Sequence, residues 1–271
     1  HRPRVPVLNM QPYVIVPPQG SGQADEWMKL GVERQSQGNL PEAQKYYNQA
    51  LRLDPRHALA TQNLAIVFAQ SNLMNEAMLT IERASMMDGV HGVIQMNWAL
   101  MALEAEQIDV ALAAAERGVK IAPNPQTRTA LAMTLATAGM PEKAIPVYEE
   151  ILKEDPKHAV AAPNSCFVQT LTDATPADLL AKRKNWYEGN AYKGAKAPHP
   201  AREPGSKLRV GYVSGDFKCH SAAMIFGAVI LHHSKDIDLF LYSTLPVDET
   251  KDASTKKFKA FGTWRDISAM D

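Results

Sequence analysis

The chain has 271 residues, 45% of them hydrophobic, with 29 Lys+Arg set against 29 Asp+Glu. That composition describes a globular protein of one large or two ordinary domains and excludes a disordered one. A net charge of zero supplies no field to attract nucleic acid or an anionic membrane, so neither is expected as a partner. The two cysteines, Cys166 and Cys219, lack the rhythm of metal ligands; they read as reduced thiols of a cytoplasmic protein, with no metal. No apolar run approaches the roughly 18 to 20 residues that span a bilayer. The chain starts at His1 and stops at Asp271 within an alternating pattern of elements, which suggests a processed product or an excerpt of a longer polypeptide.

Residues 1–23 read as an extended N-terminal segment, with a short apolar run at 13–17. From there to residue 158 a repeat dominates. Ala43, Ala77, Ala111 and Ala144 are separated by 34, 34 and 33 positions. Pro55, Pro123 and Pro156 keep phase with them, and Gly89 stands where the second unit's proline would fall. Trp27, Leu30, Gly31, Ala43, Tyr47, Ala50 and Pro55 of the first unit match the tetratricopeptide pattern. Four units of two antiparallel helices follow, with Gly or Ala at the crossings and Trp27, Tyr47, Phe68 and Tyr148 filling the space beside them. Such units stack into a superhelix with a concave surface lined by the first helix of each unit.

Two asparagines, Asn63 and Asn97, share a phase in neighbouring units, with Lys29 and Ala130 in the equivalent places of the outer two. An amide both donates and accepts, so a row of Asn can hold an extended peptide by its backbone without reading its sequence. The plainer reading gives each Asn a nearby backbone partner; the shared phase favours the peptide clamp. His57 and His158, after Asp-Pro-Arg and Asp-Pro-Lys, read as helix-start residues, not as metal ligands. Met86, Met87, Met96 and Met101 read as core filler.

Residues 159–206 form a helical connector and linker. One helix is expected over 158–171, interrupted near Pro163. A second runs over 175–187, with Thr175 as N-cap, Pro176 first and Asp178 in the first turn. Trp186 and Tyr187 are expected to dock that helix on an apolar surface. Pro198, Pro200, Pro204, Gly194 and Gly205 mark a linker.

The period then changes. Residues 208–214 and 237–243 read as strands joined by an apolar helix over 221–233, the βαβ unit of a parallel sheet. A helix near 250–261 and a strand near 263–267 continue the alternation. Residues 207–271 are thus an incomplete Rossmann-like lobe, and the chain as a whole is mainly α. Ligands of such folds sit at strand-to-helix turns, here 214–221. That turn lacks G-x-G-x-x-G and a Walker loop. It carries His220 at a helix N-terminus beside Asp216 and Lys218. A proton shuttle and a hydrogen-bonded structural histidine are both compatible with that spacing, which favours the second.

The block Leu-Arg-Val-Gly-Tyr-Val-Ser-Gly-Asp-Phe at 208–217, followed by His220-Ser221, resembles the start of the catalytic region of protein O-GlcNAc transferases and their SPINDLY-like relatives. Segments 239–243, 264–268 and 164–186 resemble the same family. The resemblance implies a two-lobed GT-B glycosyltransferase that moves GlcNAc from UDP-GlcNAc to Ser or Thr of proteins. Its repeats would recruit the protein substrate, with Asn63 and Asn97 on the substrate backbone and His220 near acceptor and sugar. It implies no catalytic metal, and homo-oligomers built through repeats are compatible with it. The family's nucleotide-gripping residues lie mainly in a second lobe. This chain alone is therefore expected to hold no cofactor and to bind UDP-GlcNAc weakly or not at all. A non-catalytic repeat adaptor is the other reading.

Overall fold

A computed structural model describes residues 13–87, 91–190, 205–246 and 252–270. Gly89, the linker prolines and Thr250 lie outside the described residues. Two compact units result, His1–Lys193 and Gly194–Asp271.

The first unit holds four helix pairs: α1 (Gln23–Ser36) with α2 (Leu40–Leu53), α3 (Ala58–Gln70) with α4 (Met74–Ser85), α5 (Gly92–Glu104) with α6 (Ile108–Ile121), and α7 (Pro125–Thr137) with α8 (Pro141–Glu154). Ala43, Ala77, Ala111 and Ala144 are fully buried, one in the second helix of each pair. A Cβ on Gly31 would stand 2.6 Å from a Tyr47 ring carbon, so α1 and α2 approach this closely only because that position carries no side chain. The Tyr47 hydroxyl donates to Gln35 Oε1 at 2.7 Å, which satisfies the polar end of a ring buried for its bulk.

One turn recurs inside every pair. Gly38, Asn72, Glu106 and Gly139 all take positive φ, between 59° and 76°. The next residue's N–H reaches back five positions: Asn39 to Arg34 O, Leu73 to Phe68 O, Gln107 to Ala102 O and Met140 to Leu135 O, at 2.8–2.9 Å. This is the Schellman closure, which satisfies helix-end carbonyls that would otherwise lack a partner. Between the first two pairs His57 caps α3, its Nδ1 accepting from Ala60 N at 3.2 Å, and after the fourth pair His158 Nδ1 accepts from Ala161 N at 3.1 Å.

The helices divide by burial. In α2 only Ala43, Tyr47 and Ala50 are buried, one stripe of an outer helix. In α3 and α5 nearly every residue is buried, because these inner helices are covered on all sides. Past the fourth pair, α9 (Ala161–Val168) continues the stack, its Ala161 and Val168 sharing a core with Tyr148 and Ile151. A 3-10 turn (Gln169–Leu171) and α10 (Pro176–Asn190) follow.

Three expectations are corrected here. Pro163 does not interrupt its helix; it occupies the first turn of α9, where a missing N–H costs nothing. Met86 is 73% exposed and is not core filler, whereas Met87, Met96 and Met101 are buried. Trp186 and Tyr187 do not bury themselves, being 40% and 65% exposed. The cap of α10 is as read: Thr175 Oγ1 accepts from Asp178 N at 3.3 Å and Asp178 Oδ2 from Thr175 N at 3.1 Å.

The second unit is a three-stranded parallel sheet, order β1 (Leu208–Ser214), β2 (Ile237–Ser243), β3 (Thr263–Asp266). Register pairs Val210 with Leu239 and Tyr212 with Leu241, then Leu241 with Trp264. Helices α11 (Ser221–Leu231) and α12 (Ala253–Phe261) make the crossovers. Ile230 and Phe258 pack with Phe217, Leu239 and Leu241 into one small core. Beside it, Arg209 lies 4.8 Å over the Phe240 ring and Arg265 5.8 Å from the same ring. This is a partial α/β lobe.

Candidate functional site

The sequence singles out Asn63 and Asn97, and the structure places both on the inner helices α3 and α5 with their side chains fully buried. Their amides meet the chain's own N-terminal segment. Val14 N–H donates to Asn97 Oδ1 at 3.0 Å, and Asn97 Nδ2 donates back to Val14 O at 2.9 Å. Two residues on, Val16 N–H donates to Asn63 Oδ1 at 3.2 Å and Asn63 Nδ2 donates to Val16 O at 2.8 Å. Each amide thus closes a two-bond ring on one residue's backbone, as a neighbouring β-strand would.

The spacing explains the pairing. In an extended chain, alternate residues turn their N–H and C=O to the same side, about 6.6–6.8 Å apart. Asn63 and Asn97 stand one repeat step of 34 positions apart, and their amides meet residues 16 and 14, alternate positions of the segment. Gln62 reinforces the inner rung, its Nε2 donating to Val14 O at 3.3 Å and to Asn63 Oδ1 at 3.2 Å. The segment runs from the third pair towards the first, opposite to the order of the repeats.

Side chains supply the remaining contact. Tyr13, Ile15 and Val16 pack against the core of the first pairs, and Tyr13 and Val14 against that of the later pairs. Burial, and then the Glu104 carboxylate, push the Tyr13 phenol far above its ordinary range. Beyond Val14 a cavity of about 250 Å³ continues along α5 and α7, lined by Val93, Met96, Asn124, Gln126 and Thr127. At its other end the segment is tied to α1, where Asp25 accepts from Gly20 N and Gly22 N, both at 3.2 Å. The sequence indicated an extended segment here but neither Gln62 nor the segment's seat on the two asparagines. The uncharged run at 13–17 was the available signal, but its partners lie 47 and 83 positions away.

In the second unit, His220 is the N-cap of α11. Its Nδ1 accepts from Ala222 N at 3.2 Å, while Asp216 Oδ2 lies 3.6 Å from the same nitrogen. The Nδ1 lone pair is thus engaged by the Ala222 N–H, and Asp216 lies beyond hydrogen-bond distance of it. Asp216 lines a largely apolar cavity of about 420 Å³ with Phe217, Phe226 and Phe258. His220 and Lys218 line a different one of about 330 Å³. The three polar residues grouped by the sequence are neighbours but do not converge on one cavity. Among the described residues no three His, Cys, Asp or Glu side chains are placed to share a metal ion, and no helix is long and apolar enough to cross a membrane.

Profiles of the tetratricopeptide repeat match residues 24–57 and 96–159. The chain contains tetratricopeptide repeats, an architecture whose concave face binds proteins. No curated protein matches the chain. Among solved structures, it is similar to YrrB, described as a TPR protein with an unusual peptide-binding site, at 22% identity over 62% of this chain and 87% of that one, TM-score 0.53. It is similar to MamA at 17% identity over 65% and 98%, TM-score 0.55. PilF of Pseudomonas aeruginosa gives 18% over 64% and 78%, TM-score 0.56. These likenesses are to the repeat fold. An O-GlcNAc transferase mutant from Thermobaculum terrenum overlaps 92% of this chain and 42% of its own at 17% identity, TM-score 0.47, too loose a match to carry an argument.

Proposed function

We propose that the repeat unit recruits a protein partner by holding an extended segment of it along the concave face, with Asn63 and Asn97 on its backbone. The observation that carries this reading is the pair of two-bond rings on Val14 and Val16. They grip main chain only, so any extended segment of compatible side chains offers the same groups.

The wider protein is, in this proposal, a protein O-glycosyltransferase of the GT-B kind, moving GlcNAc from UDP-GlcNAc to Ser or Thr hydroxyls. The support is the 208–221 block behind a repeat array, together with a parallel βαβ unit whose first strand-to-helix turn carries His220. His220 would stand near acceptor and sugar, its Nδ1 engaged by Ala222 N–H. Transfer would rest on stabilising the departing nucleotide, a task for residues outside this chain. A non-catalytic adaptor is the competing reading, favoured by a groove complete without any second lobe.

The test incubates the full gene product with labelled UDP-GlcNAc and a cell lysate, beside Asn63→Ala/Asn97→Ala and His220→Ala variants. Labelled proteins that fall at least about tenfold in both variants support the transferase. Absence of labelling by the unaltered product overturns it and leaves the adaptor.

A further inference from the structure

The occupant of the groove is part of the same polypeptide, and its seating is the most informative contact in the first unit. Residues 13–16 are half-buried, and Pro17 is exposed. The bonds that Asn63, Asn97 and Gln62 make to 13–16 all go to main chain, while the Tyr13 phenol meets the Glu104 carboxylate. Nothing in the main-chain bonds distinguishes this segment from another that is equally extended. Six residues, Pro17 to Gly22, join it to α1.

We infer that residues 13–16 are a built-in competitor: a strap that occupies the partner site in cis and must leave before a protein partner enters. The strap also defines the partner, an uncharged extended segment with β-branched residues, running opposite to the repeat order and gripped at positions i and i+2. This rests on the groove reading of the proposed function.

Energetics make the strap a brake and not a lock. A short linker holds its cargo at an effective concentration of about a millimolar. An intrinsic dissociation constant of about 100 μM for such a short segment would then keep roughly nine sites in ten closed. A partner's apparent affinity falls by the fraction of open sites, so the strap weakens it about tenfold. Two prolines expel the strap without touching the groove. Val14→Pro and Val16→Pro remove the two N–H groups that Asn97 and Asn63 accept from.

The experiment measures fluorescence anisotropy of a labelled synthetic peptide with the sequence of residues 13–20. It is titrated with the full chain, with Val14→Pro/Val16→Pro, and with that variant also carrying Asn63→Ala/Asn97→Ala. Expected is binding about tenfold tighter to the proline variant than to the unaltered chain, lost with the asparagines. Equal, asparagine-dependent binding to the unaltered chain and the proline variant overturns the strap while the groove reading stands. No asparagine-dependent binding to either overturns both. Should the proline variant lose helical signal, the unaltered chain serves. Saturating peptide must speed amide exchange at Val14 and Val16 of the protein, and unchanged exchange with peptide bound sinks the strap.

Discussion

Asn63 does what few side chains can: from one buried position it both accepts from and donates to the same residue, Val16. Aspartate would lose the donor and set a buried carboxylate against the Val16 carbonyl, and leucine would leave two backbone groups unpaired at about 1–3 kcal/mol each. Gly31 is a second residue whose identity is set by geometry, because Tyr47 occupies the space a Cβ needs. Gly31→Ala should therefore destabilise the repeat unit by about 1–3 kcal/mol through overpacking, despite alanine's better helix propensity. A lower midpoint in urea unfolding followed by far-UV circular dichroism checks this, and an unchanged or higher midpoint contradicts it.

At the scale of elements, the Schellman turn shows how differently sequence and structure weight the same positions. Gly38 and Gly139 announce their turns, since glycine adopts positive φ freely, whereas Asn72 and Glu106 take the same conformation with side chains attached. The 34-residue phase was legible through all four units because the anchors are local to each helix pair. The exposure of Trp186 and Tyr187 was not, because the composition of α10 says nothing about what lies opposite it. Capping gives α12 a pH dependence. Asp252 accepts from Cys219 N, Ser254 N and Thr255 N, and those bonds, Cys219 first, hold its carboxyl below the ordinary value of about 4. A depressed folded value means stabilisation that is complete above that ordinary value and is lost as pH falls through the depressed one. Acid titration of the second unit should show loss of α12 signal that begins below about pH 4. The Asp252→Asn variant should lose that pH-dependent part, and an identical titration in both proteins would refute the assignment.

At the scale of the molecule, the sequence made the repeat array and the βαβ alternation visible and left the groove's contents hidden. Asn63 and Asn97 stood out by phase, a local property. Their partners did not, because the segment at 13–17 meets them across 47 and 83 positions and only the stacking of whole helix pairs brings them together. Position 220 presented the reverse problem: its place at a helix N-terminus was plain, yet the cap bond to Ala222 N and the separate cavities of Asp216 and His220 appear only in three dimensions. The groove is consequently the better-defined site.

The grip of two amides on an extended backbone at alternate residues has a signature along three consecutive residues. Val14 and Val16 N–H groups are bonded to Asn97 and Asn63, while Ile15 between them has no such bond among those described. Amide hydrogen exchange resolved by NMR on the full chain should show protection at Val14 and Val16 and faster exchange at Ile15, with the two protections abolished by Asn63→Ala/Asn97→Ala. Uniform exchange across 14–16, or protection that survives loss of both asparagines, would contradict it.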